Sequence, residues 1–227
     1  MNTKLANLLC ATGIAALIAY IVYLYPSLPD PLPTHWDAAG NPNDYMSRLS
    51  GVIALASVPF FGVLLFKLIP IISPHGFRTE GFARVINVLM VGMVVFGSVI
   101  TVFALNASLG SDVNISKAVL VCVGLLLMFV GNYMGKIRKN FFIGIRTPWT
   151  LASDEVWAKT HRLGGWCMVA AGLAMAAGAF ADVVTDWIVL IVVGIVLIPV
   201  VYSYFAYRAL EGFGPDPKIN DDADSNP

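Results

Sequence analysis

Apolar and polar positions along this chain fall into long blocks. Six apolar runs cover residues 5–25, 51–73, 84–107, 117–134, 165–184 and 187–209, separated by short charged or proline-rich segments. A run of about twenty apolar residues crosses a hydrocarbon core of about 30 Å at about 1.5 Å per residue. The pattern therefore predicts six transmembrane helices. The first run follows Lys4, as in a signal peptide, but it exceeds the usual apolar stretch of about 7–15 residues and no A-x-A site follows. It is read as a retained helix.

Two polar segments interrupt the pattern at greater length. Residues 26–50 contain Pro26, Pro29, Pro31, Pro33 and Pro42, which forbid a continuous helix, and Gly40-Asn41-Pro42-Asn43 is a turn signal. This predicts an ordered loop that runs out extended, turns, and returns as a short strand towards Arg48. Residues 131–165 follow the fourth run and carry Lys136, Arg138, Lys139, Arg146, Lys159 and Arg162. Within them Thr147 precedes Pro148 and should be extended. Ser153 reads as an N-cap with Asp154 and Glu155 in the first turn. A short helix is predicted over 154–163, ended by Gly164-Gly165, with Trp157, Thr160, His161 and Gly164 on one face. Pro59, Pro70 and Pro199 are expected to kink the second and sixth spans. Ala170, Ala174 and Gly178 form a small-residue stripe for close helix packing. The long loops after helices one and four lie on opposite faces, as in an inverted repeat, although no residue-level repeat is visible.

Composition supports this picture. The chain has 227 residues, 58% hydrophobic and 12% charged, against about 25% charged residues in soluble domains. Net charge is zero, so there is no electrostatic case for direct nucleic-acid binding. Lys and Arg divide ten against two between the two sets of loop ends, which places both termini in the cytoplasm, residues 26–50 outside and residues 131–165 inside. The chain divides into 1–50, the first helix with its outer loop; 51–130, helices two to four; 131–210, the inner loop with helices five and six; and 211–227, an acidic tail read as disordered.

Candidate chemistry is sparse. Cys10, Cys122 and Cys167 lie in apolar runs and read as buried small side chains. No metal site and no cofactor are expected. Lys67, two turns before the end of the second run, is read as snorkelling to the interface. In the inner loop Arg146, His161 and Arg162 are candidates to converge on an anion; the alternative is that Arg146 pairs with Asp154 or Glu155 and braces the segment. No carboxylate pair, Ser/His/Asp set or zinc-like spacing supports catalysis there. Outside, His35 and Asp37 are close in sequence but lack further ligands, so His35 reads as structural.

The inner segment resembles the signature of the SdpI-type membrane proteins. It has the start Gly131-Asn132, the core of Asn140 with Gly144, Ile145, Arg146, Thr147, Pro148, Trp149, Thr150 and Leu151, and the end Val156, Trp157, Lys159, Thr160, His161 and Arg162. The outer segment, with Pro33, His35, Trp36, Asp37, Gly40 and Pro42, resembles a domain of unknown function that precedes this signature. The departures are Gly135, where a proline is expected, and the acidic tail. The resemblance implies an all-α, six-helix bacterial inner-membrane protein with both termini cytoplasmic, an ordered outer loop, and a folded inner loop with a short helix. It implies a non-enzymatic immunity or sensor role: antagonism of a secreted, membrane-active toxin peptide, and retention of a soluble transcriptional regulator at the membrane. Asn132, Asn140, Arg146, Thr147, Trp149, Thr150, Trp157, Thr160, His161 and Arg162 would be the inner residues involved, with His35, Trp36, Asp37 and Gly40 outside. The alternatives are a transporter or lipid-binding protein and a membrane enzyme centred on the inner loop.

Overall fold

The structure is a computed structural model that describes residues 1–74, 79–181 and 185–213. Six of its helices are long and apolar enough to cross a membrane. They are α1 (Thr3–Leu24), α2 (Arg48–Ile72), α3 (Ala83–Ser108), α4 (Ile115–Met134), α6 (Asp154–Phe180) and α7 (Thr185–Leu210), and α5 (Pro148–Ala152) is a single short turn of helix. The protein is a multi-pass membrane protein of all-α class, with one two-stranded hairpin. The acidic tail beyond residue 213 and the turn at 75–78 lie outside the described residues.

Most of the helices begin where a polar side chain satisfies a free N–H group, α3 being without such a cap. Asn2 accepts from Leu5 N at 2.8 Å, Asn114 from Lys117 N at 3.0 Å, and Ser153 from Val156 N at 3.4 Å. The first helix gives way at Tyr25–Ser27, where Pro26 enters. The chain then forms β1 (Leu32–Trp36) and β2 (Pro42–Met46), paired antiparallel with Leu32 opposite Met46 and Trp36 opposite Pro42. This is the predicted out-and-back course. Gly40 takes a left-handed φ of +90° at its tip.

The hairpin is anchored by burial at its root. Leu28 and Leu32 pack with Leu17, Ile21, Val52 and Leu105 of α1, α2 and α3. A Cβ at Gly51 would lie 2.9 Å from the Leu32 side chain, so glycine there admits Leu32 into the core.

In the first half of the bundle α3 is central, packed against α1 and α2; in the second half α6 is central, between α4 and α7. The halves meet where α3 lies against α4. The central helix is third in one half and second in the other, so the helices do not follow an inverted repeat.

The proline in mid-α2 is accommodated by α3. Pro59 has no N–H, which leaves the Leu55 carbonyl without its helical donor. The Thr101 hydroxyl donates to that carbonyl at 2.8 Å. Gly97 clears the space, since a Cβ there would sit 2.9 Å from Pro59 N. Lys67 does not simply reach for the interface, because its Nζ donates to the Asn7 side chain of α1.

The tightest helix pair, α4 with α6, rests on glycines. A Cβ at Gly124 would be 2.7 Å from the Gly172 carbonyl oxygen, and one at Gly131 would be 2.7 Å from that of Gly165. Both pairs are seven residues apart on their own helix, so the two backbones touch twice along one seam. This corrects the expected stripe: Ala170 is exposed and Gly178 instead meets Ile188 of α7. It also corrects the expected break, for α6 runs unbroken through Gly164 and Gly165. A glycine in a helix costs about 1 kcal/mol relative to alanine. Here that cost is offset by the close approach of Gly131 to Gly165 and of Ile145 to Gly164.

Candidate functional site

The inner segment between α4 and α6 is folded throughout on side-chain hydrogen bonds. After Met134 the chain turns, with Lys136 N donating to Tyr133 O and Ile137 N to Met134 O. Ile137 is buried, and its carbonyl accepts from Trp157 Nε1 at 2.8 Å.

Asn140 is fully buried and uses its whole amide. Its Oδ1 accepts from Phe142 N and Ile143 N at 2.8 and 2.7 Å, and its Nδ2 donates to the carbonyls of Arg138 and Ile143 at 2.8 and 3.0 Å. Four bonds match the amide's two donors and two acceptor sites. Asn140 thus acts as a template on which the loop is wound.

His161 is the second buried hub, 1% exposed. Its Nδ1 is 2.9 Å from the Trp157 carbonyl, which can only accept, so Nδ1 carries the proton. Its Nε2 accepts from Ile145 N at 3.0 Å. Both ring nitrogens are occupied and the ring is neutral. The Trp157 indole stacks on it at 3.9 Å and 18°. Gly144 has φ of +115°, and a Cβ there would come within 2.2 Å of His161 Nε2. Glycine is required twice over at this position.

The Arg-Thr-Pro-Trp-Thr stretch starts α5. Thr147 is extended, as predicted before Pro148, and caps the turn by accepting from Thr150 N at 3.2 Å. Thr150 is fully buried; its hydroxyl accepts from Thr147 N at 2.9 Å and reaches the Ile145 carbonyl at 2.8 Å. The short helix expected over 154–163 is not a separate element, since that stretch is the start of α6; the loop's own short helix is Pro148–Ala152.

Three contacts bind this unit to α7 and the residue that follows it. The Thr147 hydroxyl meets Ser203 Oγ at 3.0 Å, the Trp149 ring stands edge-on to Tyr204 at 5.2 Å, and Ser153 Oγ donates to Glu211 at 2.7 Å. Sequence reading missed Ser203, Tyr204 and Glu211. The available signal was Ser203, a hydroxyl four residues after Pro199 in an otherwise apolar and aromatic run.

The predicted inner residues thus divide. Asn140, Thr147, Trp149, Thr150, Trp157 and His161 come together in one folded unit, in which Thr147 and Trp149 are half-buried and the other four buried. Thr160 is fully buried beside it, its hydroxyl without a hydrogen-bond partner. Asn132 is exposed on α4 and donates to the Met128 carbonyl at 2.8 Å. Arg146 and Arg162 are exposed and do not converge with His161. Arg146 Nη1 instead donates to the Phe141 carbonyl, closing the loop on itself. The acids expected to pair with Arg146 take lysines: Asp154 with Lys139 at 2.7 Å and Glu155 with Lys159 at 2.8 Å. Chemically the arrangement braces; its free charges are the outward-facing cations.

On the opposite end of the bundle the hairpin turn is built on Asp37. Its Oδ1 accepts from Ala39 N at 2.9 Å and Asn41 N at 2.8 Å. These bonds, the Asn41 amide first, hold the carboxyl below its ordinary range. His35 is not part of this cluster; its Nδ1 lies 2.6 Å from Asn43 Oδ1 across the strands. Ser116 Oγ donates to the Asp37 carbonyl at 2.9 Å, which ties the turn to the start of α4. Between the hairpin and the helices lies a cavity of about 360 Å³ lined by Thr34, Trp36, Leu55, Ile100, Val119 and Leu120. No group of three or more metal-ligating side chains occurs among the described residues.

Comparison with known proteins covers both ends. Residues 136–205 match the SdpI/YfhL protein family, and residues 12–58 match a domain of unknown function, DUF1648. Over 195 residues the chain is 29% identical to the Immunity protein SdpI of Bacillus subtilis (strain 168), covering 84% of this chain and 90% of that protein. No solved structure matches. The braced inner segment with α6 and α7 thus falls in the region similar to the SdpI/YfhL protein family, and the hairpin falls in the region similar to DUF1648.

Proposed function

We propose that this protein is an integral membrane immunity protein that antagonises or senses a membrane-active toxin peptide. The observation that carries this is the 29% identity to an immunity protein across 84% of the chain, which spans the outer hairpin and the inner segment alike. The cavity beneath the hairpin supports it. Its lining is mainly apolar, with Thr34, His35, Asp37 and Ser116 as polar members, and an apolar peptide side chain has a place to enter. The excess of Lys and Arg beside the inner segment supports a bacterial inner-membrane protein with both termini in the cytoplasm. The outward cations Arg146 and Arg162 then face the cytosol, available to hold a soluble transcriptional regulator.

The test is protection. Expressed in a bacterium sensitive to the toxin that the Bacillus protein counters, the chain should restore growth. Trp36→Ala and Leu55→Trp, at the rim and wall of the outer cavity, should weaken protection without lowering the amount of protein in the membrane. Loss of the reading would follow if no protection were seen and no soluble protein were retained on membranes containing the chain.

A further inference from the structure

A second apolar groove lies on the membrane-facing side of the seam between α3 and α4. It has a volume of about 410 Å³, and its walls include Val88, Val91 and Val95 of α3 and Leu125, Leu126 and Phe129 of α4. It opens sideways, since Val95 and Leu125 are both more than half exposed. Its depth depends on Gly92, where a Cβ would strike the Phe129 ring at 2.2 Å. Along α3 the groove extends from Val88 to Val99, about 16 Å at about 1.5 Å per residue. That is about the depth of one leaflet of a core about 30 Å thick.

The end of the groove near Val88 is cationic. Arg84 precedes Val88, Val91 and Val95 at four, seven and eleven residues, so all four share one helix face. Arg84 is exposed and forms no ion pair among the described residues. From the α4 side Phe129 is followed by Tyr133, their ring centroids 5.3 Å apart, and Lys136 Nζ stands 4.9 Å from the Tyr133 ring. Arg84, one turn before Val88 on α3, and Lys136, two residues past the end of α4, therefore lie towards one end of a groove of acyl-chain depth that Met1 also lines.

From this juxtaposition we infer that the α3/α4 groove is a binding site for an anionic glycerophospholipid. One acyl chain lies along Val91, Val95 and Leu125, and the phosphate and headgroup meet Arg84 and Lys136. Charge complementarity chooses this occupant. A hydrophobic peptide or a second copy of the chain would use the apolar walls but would have no need of unpaired cations at one end.

Native mass spectrometry of the purified protein in detergent tests it, with phosphatidylglycerol and phosphatidylcholine of identical acyl chains as probes. Phosphatidylglycerol should be retained in preference, on the order of thirtyfold for two cations near the surface. Arg84→Gln with Lys136→Gln should remove the preference and leave binding of both lipids. Arg208→Gln, an exposed cation at the end of α7, should leave the preference intact. Val95→Trp, which fills the groove from an exposed position, should reduce retention of both lipids while the helical circular-dichroism spectrum stays unchanged. Equal retention of the two lipids by the unmodified chain, or a preference lost equally in the Arg208 variant, would overturn the assignment. So would a lipid-independent dimer that Val95→Trp dissociates, which gives the groove to a second copy.

Discussion

The backbone N–H of Ile145 donates to Nε2 of His161 across 3.0 Å, joining a loop to the helix that follows it sixteen residues later. The imidazole is thereby used as a neutral two-ended connector, with Trp157 O on its other nitrogen. His161→Gln keeps a donor and an acceptor on a shorter, differently shaped side chain; His161→Leu keeps neither. The glutamine variant should retain more thermal stability than the leucine variant, by about 1–2 kcal/mol, the range for leaving a buried donor unpaired. Melting of the purified proteins in detergent would show it, and equal melting would remove the connector role.

Gly144→Ala tests the same contact from the other side. An alanine would need a left-handed φ and would push its Cβ onto His161 Nε2. The cost should exceed about 1 kcal/mol. Protease accessibility of residues 141–147 should rise before α4 or α6 is affected.

The glycine seam makes a contrasting pair. Gly172→Leu should prevent α4 and α6 from meeting, because the nearest atom is the Gly124 carbonyl oxygen at 2.3 Å from a Cβ. Gly194→Leu on α7 should be tolerated, since nothing lies within 4 Å of a Cβ there. The amount of folded, monodisperse protein recovered from membranes separates the two.

Thr101 and Pro59 should be coupled. Thr101→Val leaves the Leu55 carbonyl without a donor and should cost about 1–2 kcal/mol. Pro59→Ala restores an N–H that can take that carbonyl, so Thr101→Val should cost less in that background. A double-mutant cycle on thermal stability reads the difference, and strictly additive effects would refute the coupling.

Outside the bilayer the hairpin turn should respond to acid. The folded-state pKa of Asp37 is depressed, so its stabilising effect is present above the unfolded value of about 3.9 and is lost as pH falls through the folded value. Amide exchange at Ala39 and Asn41 should quicken in acid, after correction for intrinsic rates. Asp37→Asn should abolish that acid response.

Much of the fold was legible because bilayer thickness fixes helix length, and the apolar runs carry that length directly. The outer hairpin was legible from Gly40-Asn41-Pro42-Asn43, and the extended Thr147 from the constraint that Pro148 sets, but α5 itself was not. What could not be read is set by packing across elements. Gly164-Gly165 looks like a helix break until Gly131 and Ile145 are seen filling the space of the missing side chains. Arg146, His161 and Arg162 look convergent until the helix carries Arg162 outward and the loop turns Arg146 back on Phe141. The network residues Asn140, Thr147, Thr150 and Trp157 were found by motif, but their joint burial follows from contacts with α6 and with Ser203 and Tyr204 of α7, far along the chain.

The Ser116 to Asp37 hydrogen bond has a mechanical meaning. Through it the hairpin grips the outer end of α4, a rod of 20 residues, about 30 Å long at about 1.5 Å per residue. At its other end the same rod runs into the loop wound on Asn140, with little slack to absorb movement. The hairpin and the loop wound on Asn140 are thus fastened to the two ends of one helix, and the glycine contacts with α6 hold that helix between them.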